Sequence, residues 1–368
     1  MRVEAVEVRE VRLPLRFPFE TSFGRQEAHT CLLVRLFSDG AEGWGEVPAE
    51  VAPLYNEECV GTAWHVLERF IVPAVLGRDL DHPRAFLPLV AGIRRNHMAK
   101  AGVEAALWDL YAQSVGRPLH TLLGGSRDHV AVGVSLGIEP AIGRLLERIE
   151  HFLRLGYGRI KVKIKPGWDV AVVARIREVF GDIVLQVDAN SAYTLAEAGV
   201  FRALDGYGLL LIEQPLEEDD LVDHAALQAD LRTPICLDES IVSPSHARKA
   251  LAIGACRIIN IKQARLGGLS AALAVHDLCQ ERGIPVWCGG LLETGVGRAA
   301  NLALASLPNF TLPADLSASD RYYEEDLIDP PVQLGPDGTI AVPTGPGLGV
   351  SVRLDRVAAA TSRLAVYR

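Results

Sequence analysis

Cysteine is sparse and unpaired in this chain: Cys31, Cys59, Cys236, Cys256, Cys279 and Cys288 are scattered through 368 residues with no CxxC among them. Without an export signal they read as reduced, mostly buried thiols, which argues against a disulfide framework or a cysteine-held zinc. The ten histidines are equally dispersed and show no HExxH or other ligand spacing, so histidine is not expected to be the principal base. Long apolar runs are missing too. No stretch approaches the ~18 consecutive apolar residues of a membrane span. The N-terminal MRVEAVEVREVRLPL alternates charged and apolar residues and lacks the apolar core of a signal peptide. A cytoplasmic protein without a membrane partner is expected. Basic clusters are absent as well: 37 Lys and Arg face 46 Asp and Glu, a net charge of −9, with no dense basic run to follow a phosphate backbone. Nucleic acid is therefore not an expected partner.

What is present is a large apolar supply, 49% of residues against 23% charged, and a period. Asp188 in LQVDAN, Glu213 in LLIEQP and Asp238 in CLDES follow one another at intervals of 25 residues, each closing an apolar run that reads as a buried strand. Lys163, in RIKVKIK, precedes the first by 25, and Lys262, in IINIK, follows the last by 24. A repeat of about 25 residues accommodates one strand, one helix and two loops, the unit of a β/α barrel. From about Val130 onward, VAVGVSLGI, GRIKVKIK, DIVLQVDAN, LLLIEQP, TPICLDES, CRIINIK, IPVWCGG and NFTLPADLS give eight strand candidates in about 190 residues, which fills one closed barrel.

The first 125 or so residues do not share the rhythm. Alternation near Val3 to Leu13 and Thr30 to Phe37, with turn chemistry in SDGAEGWGE, predicts an antiparallel hairpin or meander. AWHVLERFIVPAVL and KAGVEAALWDLYAQSVG carry helical spacing, the second stopping at Gly116 before Pro118. The expected fold is thus α/β: a barrel over about 126–321, an α+β capping domain over 1–125, and a Pro- and Gly-rich segment, 322–368, that leaves the barrel and packs on the first domain.

Strand alternation puts Lys161, Lys163 and Lys165 on one face and Val162 and Ile164 on the other. If the apolar pair packs on helices, the lysines point inward, and Lys161 would lower the basicity of Lys163, as a lysine general base requires. A lone strand-end lysine more simply snorkels to solvent. Three carboxylates on adjacent strand ends repel one another unless a cation joins them. Hard oxygen donors suit Mg²⁺, with Mn²⁺ or another divalent ion an alternative. Each acid alone could merely cap the next helix. Asn190 and Glu239 are plausible supports for these ligands, or a turn residue and a cap. With strands two and six on opposite sides of an eight-strand barrel, Lys163 and Lys262 face each other. Arg265 is close enough to tune Lys262, though a cap or a surface salt bridge is the simpler reading. A carboxylate substrate on the metal would have an acidified α-proton, and the ion would stabilise the enediolate left when that proton departs.

The set KVK, DAN, IEQP, LDES and NIK with GGL following, WCGGLLETGVGRAANLALASLPNFTLPADLSASD, and FETSFG resembles the enolase superfamily in its muconate-lactonizing subgroup. It is most similar to the o-succinylbenzoate synthase / N-acylamino acid racemase family, and the resemblance covers nearly the whole chain. It implies a (β/α)7β barrel with a cap built from both chain ends, Mg²⁺ held by Asp188, Glu213 and Asp238, and Lys163 and Lys262 as the acid/base pair. It implies a small carboxylate substrate and a homo-oligomer. It also marks the loop at about 17–24, with Phe19, Thr21, Ser22 and Phe23, and Tyr55 as the cover of the substrate, and Ser135, Gly290, Glu293 and Asp315 as rim positions near it. Dipeptide epimerase and muconate cycloisomerase share the framework and are the rival activities, though LPADLSASD lacks the acidic pair that dipeptide epimerases use to grip an amino group. A silent metal-binding scaffold is the rival from another class, and it has no use for two interior ammonium groups.

Overall fold

The computed structural model describes residues 1–368. Seven parallel strands form one curled sheet in chain order, Val134–Leu136, Ile160–Lys163, Leu185–Asp188, Ile212–Glu213, Ile235–Leu237, Ile258–Ile261 and Val286–Cys288. The eighth candidate, NFTLPADLS, forms no extended strand. It bridges the two sheet edges, pairing Phe310 with Val286 and Ala314 with Val132, and so closes the barrel. Pro313 at its centre and Pro308 just before it lack the N–H that a longer ladder needs. Register aligns the rim: Lys163 pairs with Asp188, and Asp188 with Glu213. The barrel floor is plugged by Leu211, Cys236, Ile258 and Trp287.

Before the barrel, Ala5–Glu20, Arg25–Ser38 and Ala41–Val47 make the meander, and the C-terminal strand Thr361–Tyr367 adds antiparallel to Ala5–Glu20. The first two strands run further than the alternation indicated. Phe19 and Glu20 still pair with Gln26 and Arg25, so the segment expected as a loop at 17–24 is the tip of a hairpin that turns only at 21–24. Val6, Val8, Leu32, Val34 and Leu36 bury one face of this sheet against the helix His97–Ser114. The approach is close because Gly45 and Gly102 have no side chain there: a Cβ on Gly45 would lie 2.0 Å from the Gly102 carbonyl oxygen. On its way back to the cap, the C-terminal segment also pairs Thr339–Ala341 with His129–Ala131, just ahead of the first barrel strand.

The long cap helix also fastens the barrel. Its buried Glu104 accepts from the backbone N–H of Ser270 at 3.2 Å, in the first turn of the barrel helix Leu269–Glu281. This carboxylate does the work of an N-cap that Gly268, the residue at that position, cannot do. Gly268 has φ 136°, and a Cβ there would stand 1.9 Å from Glu104 Oε2. Burial pushes the Glu104 carboxyl up to about 7 from its ordinary 4.5, against the pull of the Ser270 donors. Because the folded value lies above the unfolded one, the stability this group contributes is complete below about pH 4.5 and is lost as pH rises through about 7. Glu104→Gln cannot ionise. The difference in melting temperature, wild type minus variant, should therefore fall between pH 5 and pH 8 by the equivalent of roughly 2–3 kcal/mol. Thermal unfolding across that range checks it, and a difference independent of pH counts against it.

Candidate active site

All of the strand-end acids lie at the C-terminal rim of the barrel, where β/α enzymes keep their chemistry. Asp188 and Glu213 end their strands, and Asp238 follows Leu237 directly. They are at most 1% exposed. Cations from both sides reach them. Lys163 Nζ donates to Asp188 Oδ2 at 2.6 Å and to Asn190 Oδ1 at 2.7 Å. Opposite, Lys262 Nζ donates to Asp238 Oδ2 at 2.7 Å and lies 4.6 Å from the Tyr55 ring centroid. Lys163 belongs to the second barrel strand and Lys262 follows the sixth, so the two ammonium groups approach from opposite walls.

Lys161 shares the inward face with Lys163, but Lys165 does not. The strand ends at Lys163, and Lys165 lies in the turn beyond it, half-exposed, 3.7 Å from Glu20. Lys161 is held by three acids, Asp188 at 3.3 Å and Glu213 and Asp315 at 3.0 Å each. Burial works against its charge, yet Asp315, Glu213 and Asp188 outweigh it and raise its basicity. Lys161 is therefore a fixed positive charge that braces the carboxylates, an arrangement different from the simple repulsion of Lys163 that strand alternation suggested.

The carboxylates are not equivalent. Burial raises Asp188, but Lys163 and Lys161 more than offset it and hold it well below the ordinary carboxylate range. Glu213 is raised, first by burial and then by Asp188. Burial, with Asp188 next, lifts Glu239 to about 7. Three buried acids converging on one rim, one of them raised by its neighbour's charge, suit a divalent cation with hard-oxygen preference. Glu239 Oε2 is buried with no hydrogen-bond partner, a further oxygen beside them. Asn190 Nδ2 donates to Glu239 Oε1 at 2.8 Å, linking Lys163 to that carboxylate.

Arg265 departs from the surface reading. It is 1% exposed and pairs with Asp238 Oδ1, while its Nε donates to the Ile241 carbonyl at 2.8 Å. Its guanidinium sits behind the Asp238–Lys262 pair, and Nη1 also donates to the Tyr55 hydroxyl at 3.2 Å. Tyr55 thus joins the cap to the barrel rim, donating in turn to Asp238 Oδ1 at 3.1 Å.

A cavity opens above these groups. Phe19, Thr21, Phe23 and Tyr55 line it from the cap, and Ser135, Gly290 and Asp315 from the rim. Ser135 does not cap a helix: its hydroxyl donates to Asp315 Oδ2 at 2.6 Å, and Asp315 is also engaged by Lys161 and by buried Arg159 at 3.4 Å. Ser22 and Glu293 stand outside the lining. Ser22 Oγ donates to the Asn190 carbonyl at 3.3 Å, which pins the hairpin tip to the Asp188–Asn190 turn. Glu293 faces away, accepting from Leu291 N at 2.7 Å and Asn301 Nδ2 at 2.9 Å, so it shapes the loop behind the cavity.

Several residues in this arrangement escaped the sequence reading. Arg159 and Asn260 lie on the same alternating faces as Lys161 and Lys262, and alternation extended by one step would have found both. Asn260 Nδ2 donates to Glu213 Oε1 at 2.7 Å. Gln214 Oε1 accepts from Asp238 N and Ser240 N at 3.0 and 3.2 Å, fixing the turn that carries Asp238 and Glu239. Gln26, at the start of the strand Arg25–Ser38, and Glu50, Leu291, Leu292 and Tyr322, from segments without such a period, complete the cavity. Apart from this site, His29, Cys31 and Glu46 converge in the buried seam between cap and barrel with their ligand atoms within 4.8 Å of one another, closer than their separation in sequence suggested. Glu46 there already accepts from the Thr294 hydroxyl at 2.6 Å and from Thr294 N and Gly297 N, which makes it an anchor for the helix Gly295–Ala305.

A capped parallel barrel that gathers three acids and two opposed lysines at its C-terminal rim defines a class of acid/base barrels. Residues 3–124 match the Mandelate racemase / muconate lactonizing enzyme, N-terminal domain family, and residues 144–356 match the Enolase C-terminal domain-like family. The chain belongs to the enolase superfamily. It is 54% identical over 353 residues to an o-succinylbenzoate synthase of Geobacillus stearothermophilus, covering 96% of this chain and 94% of that one. It is 52% identical over 354 residues to an N-succinylamino acid racemase of Thermus thermophilus, covering 96% of each. A solved enolase-superfamily member from Listeria innocua superposes with a TM-score of 0.95 at 38% identity, covering 100% of this chain and 99% of that one. Enzymes of this superfamily generally use a divalent metal.

Proposed function

We propose that the chain is an enzyme that removes a proton α to a carboxylate, acting as an o-succinylbenzoate synthase, an N-succinylamino acid racemase, or both. The observation that carries this reading is the pair of buried ammonium groups, 7% and 6% exposed, approaching one rim from opposite strands. Two lysines on opposite sides of a bound α-carbon can take its proton from one face and return it on the other. Racemases and synthases of 52–54% identity support it.

In this reading Asp188, Glu213 and Asp238 would hold Mg²⁺, with Asn260 and Arg265 orienting Glu213 and Asp238. The ion supplies positive charge beside the substrate carboxylate, onto whose oxygens charge moves as the proton leaves. Lys163, as the neutral amine, takes the α-proton and becomes the ammonium, and Asn190 Oδ1, which accepts from Nζ, keeps that nitrogen aimed at the cavity. In racemisation Lys262 delivers a proton to the opposite face. In the synthase reaction Lys163 also assists departure of the hydroxyl, while Lys262 stays protonated beside the developing charge. Tyr55 and the hairpin tip exclude water above the reacting carbon. The working form is a homo-oligomer in the cytoplasm. A dipeptide epimerase is disfavoured because Asp315, the acid on the last barrel segment that lines the cavity, is committed to Ser135, Lys161 and Arg159.

The test is to supply N-succinylphenylalanine and the cyclohexadiene precursor of o-succinylbenzoate with Mg²⁺ in D₂O. Deuterium should enter the α-position from both enantiomers of the first, and o-succinylbenzoate should form from the second if the chain is a synthase. Absence of both exchange and dehydration would sink the reading.

A further inference from the structure

The cap presents six side chains to the cavity, Phe19, Thr21, Phe23, Gln26, Glu50 and Tyr55, and Glu50 is the one charged residue among them. Nothing in the acid/base chemistry uses it. The lysines of the cavity are committed elsewhere, Lys163 to Asp188, Lys262 to Asp238, and Lys161 to its three acids. Burial raises the Glu50 carboxyl, while the Gln26 side chain, His29, Lys262 and Lys163 favour its charged form. A half-buried carboxylate among the rings of Phe19, Phe23 and Tyr55, without a salt bridge to any cation of the chain, gains from a ligand that completes it.

The α-carbon of an N-succinylamino acid carries two arms. Its succinyl arm ends in a carboxylate, which Glu50 repels at close range. The side-chain arm is therefore the one that turns toward Glu50. We propose that Glu50 is a specificity-determining residue that favours substrates whose side chain ends in a cation, N-acylated lysine or arginine, over neutral side chains of the same length. A charge-assisted hydrogen bond formed away from water is among the stronger polar contacts, and pairing removes the burial cost of the carboxylate. Gln26 lines the cavity beside Glu50 and favours its charged form, so the two make one polar patch among the aromatic rings of the cap.

This inference rests on the α-proton reading, and the experiment separates the two. Exchange of α-deuterium is measured at pH 7.5 with Mg²⁺ for Nα-succinyl-L-lysine and for N-succinyl-L-norleucine, its analogue without the ammonium group. The expected wild-type ratio of kcat/KM, lysine over norleucine, is about tenfold or more, and Glu50→Gln should bring it close to one. Glu50→Asp, which keeps the charge, should keep a preference for lysine. Because each ratio is taken within one protein, a partly folded variant does not distort it. A wild-type preference for norleucine, or a ratio unchanged in Glu50→Gln, overturns the role of Glu50 while leaving the α-proton chemistry intact. Absence of exchange from both compounds in the wild type overturns the chemistry and the inference with it.

Discussion

Lys163→Ala and Lys262→Ala are each expected to abolish racemisation, lowering it by about 10³-fold or more, the scale of a positioned acid or base. The two losses should differ in what they spare. With Lys163 gone, Lys262 still faces one side of the α-carbon. The enantiomer whose proton points at Lys262 should exchange deuterium without inverting, and the other enantiomer should not. With Lys262 gone the spared enantiomer should be the opposite one. The double variant should exchange neither. Synthase activity should be lost in Lys163→Ala, since that lysine both removes the proton and serves the departing hydroxyl. NMR of the α-position in D₂O, with chiral separation of the recovered substrate, reads all of these outcomes. Exchange that survives the double change would end the two-lysine mechanism.

A merely structural role predicts another pattern. Lys163 donates to Asp188 and Asn190, and Lys262 to Asp238 and the Tyr55 hydroxyl. If these bonds only held the rim together, both variants would slow both enantiomers alike and lower stability together. Mirror-image sparing of enantiomers follows only from two bases on two faces.

The interval of 25 residues made the barrel and its five polar strand ends visible because a β/α unit repeats its geometry as well as its length. Alternation then separated Lys161 and Lys163 from Val162 and Ile164. It failed at Lys165, where the strand had already ended, and it was stopped one step short of Arg159 and Asn260. Arg265 was expected near Lys262, with a cap or a surface salt bridge as the simpler alternative, and its burial had no mark in the sequence. An arginine just after a strand is usually solvated, and only the placing of the short helix Gln263–Leu266 against Asp238 buries this one. Glu50, Leu291, Leu292 and Tyr322 had no periodic mark at all. They meet because the cap is laid over the rim, through Tyr55 and through Glu46 at the start of the helix Gly295–Ala305, and such contacts between distant segments leave no local trace in a sequence. Glu293 and Ser22, chosen by resemblance, show the converse. They stand next to the cavity but turn their side chains to the backbone that shapes it.

Replacing the proposed ligands should have effects on stability that split by residue when metal is absent. Asp188 is held well below the ordinary carboxylate range by Lys163 and Lys161 despite burial, so at pH 7.5 its charge stabilises the fold, a contribution lost only as pH falls through the depressed value. Asp188→Asn should lower the melting temperature of the metal-free protein. Glu213 is raised by burial and by Asp188, so the stability it contributes is present at low pH and is lost as pH rises above the ordinary carboxylate range. Glu213→Gln should leave the metal-free protein as stable as the wild type or more so, with Lys161 retaining Asp188 and Asp315. Mg²⁺, if Asp188, Glu213 and Asp238 hold it as proposed, should place the wild type above both variants. At a free concentration 100 times its dissociation constant an ion stabilises the protein that binds it by about 2.7 kcal/mol. Wild type should gain that increment, and both variants should lose most of it together with activity. Melting curves with EDTA and with Mg²⁺ measure the four differences. An equal Mg²⁺ gain in Glu213→Gln and wild type would remove Glu213 from the ligand set, whereas a metal-free loss in Glu213→Gln as large as that in Asp188→Asn would mean that its carboxylate is kept for folding. The expected outcome is a residue that adds no stability when the rim is empty and is retained for what it binds.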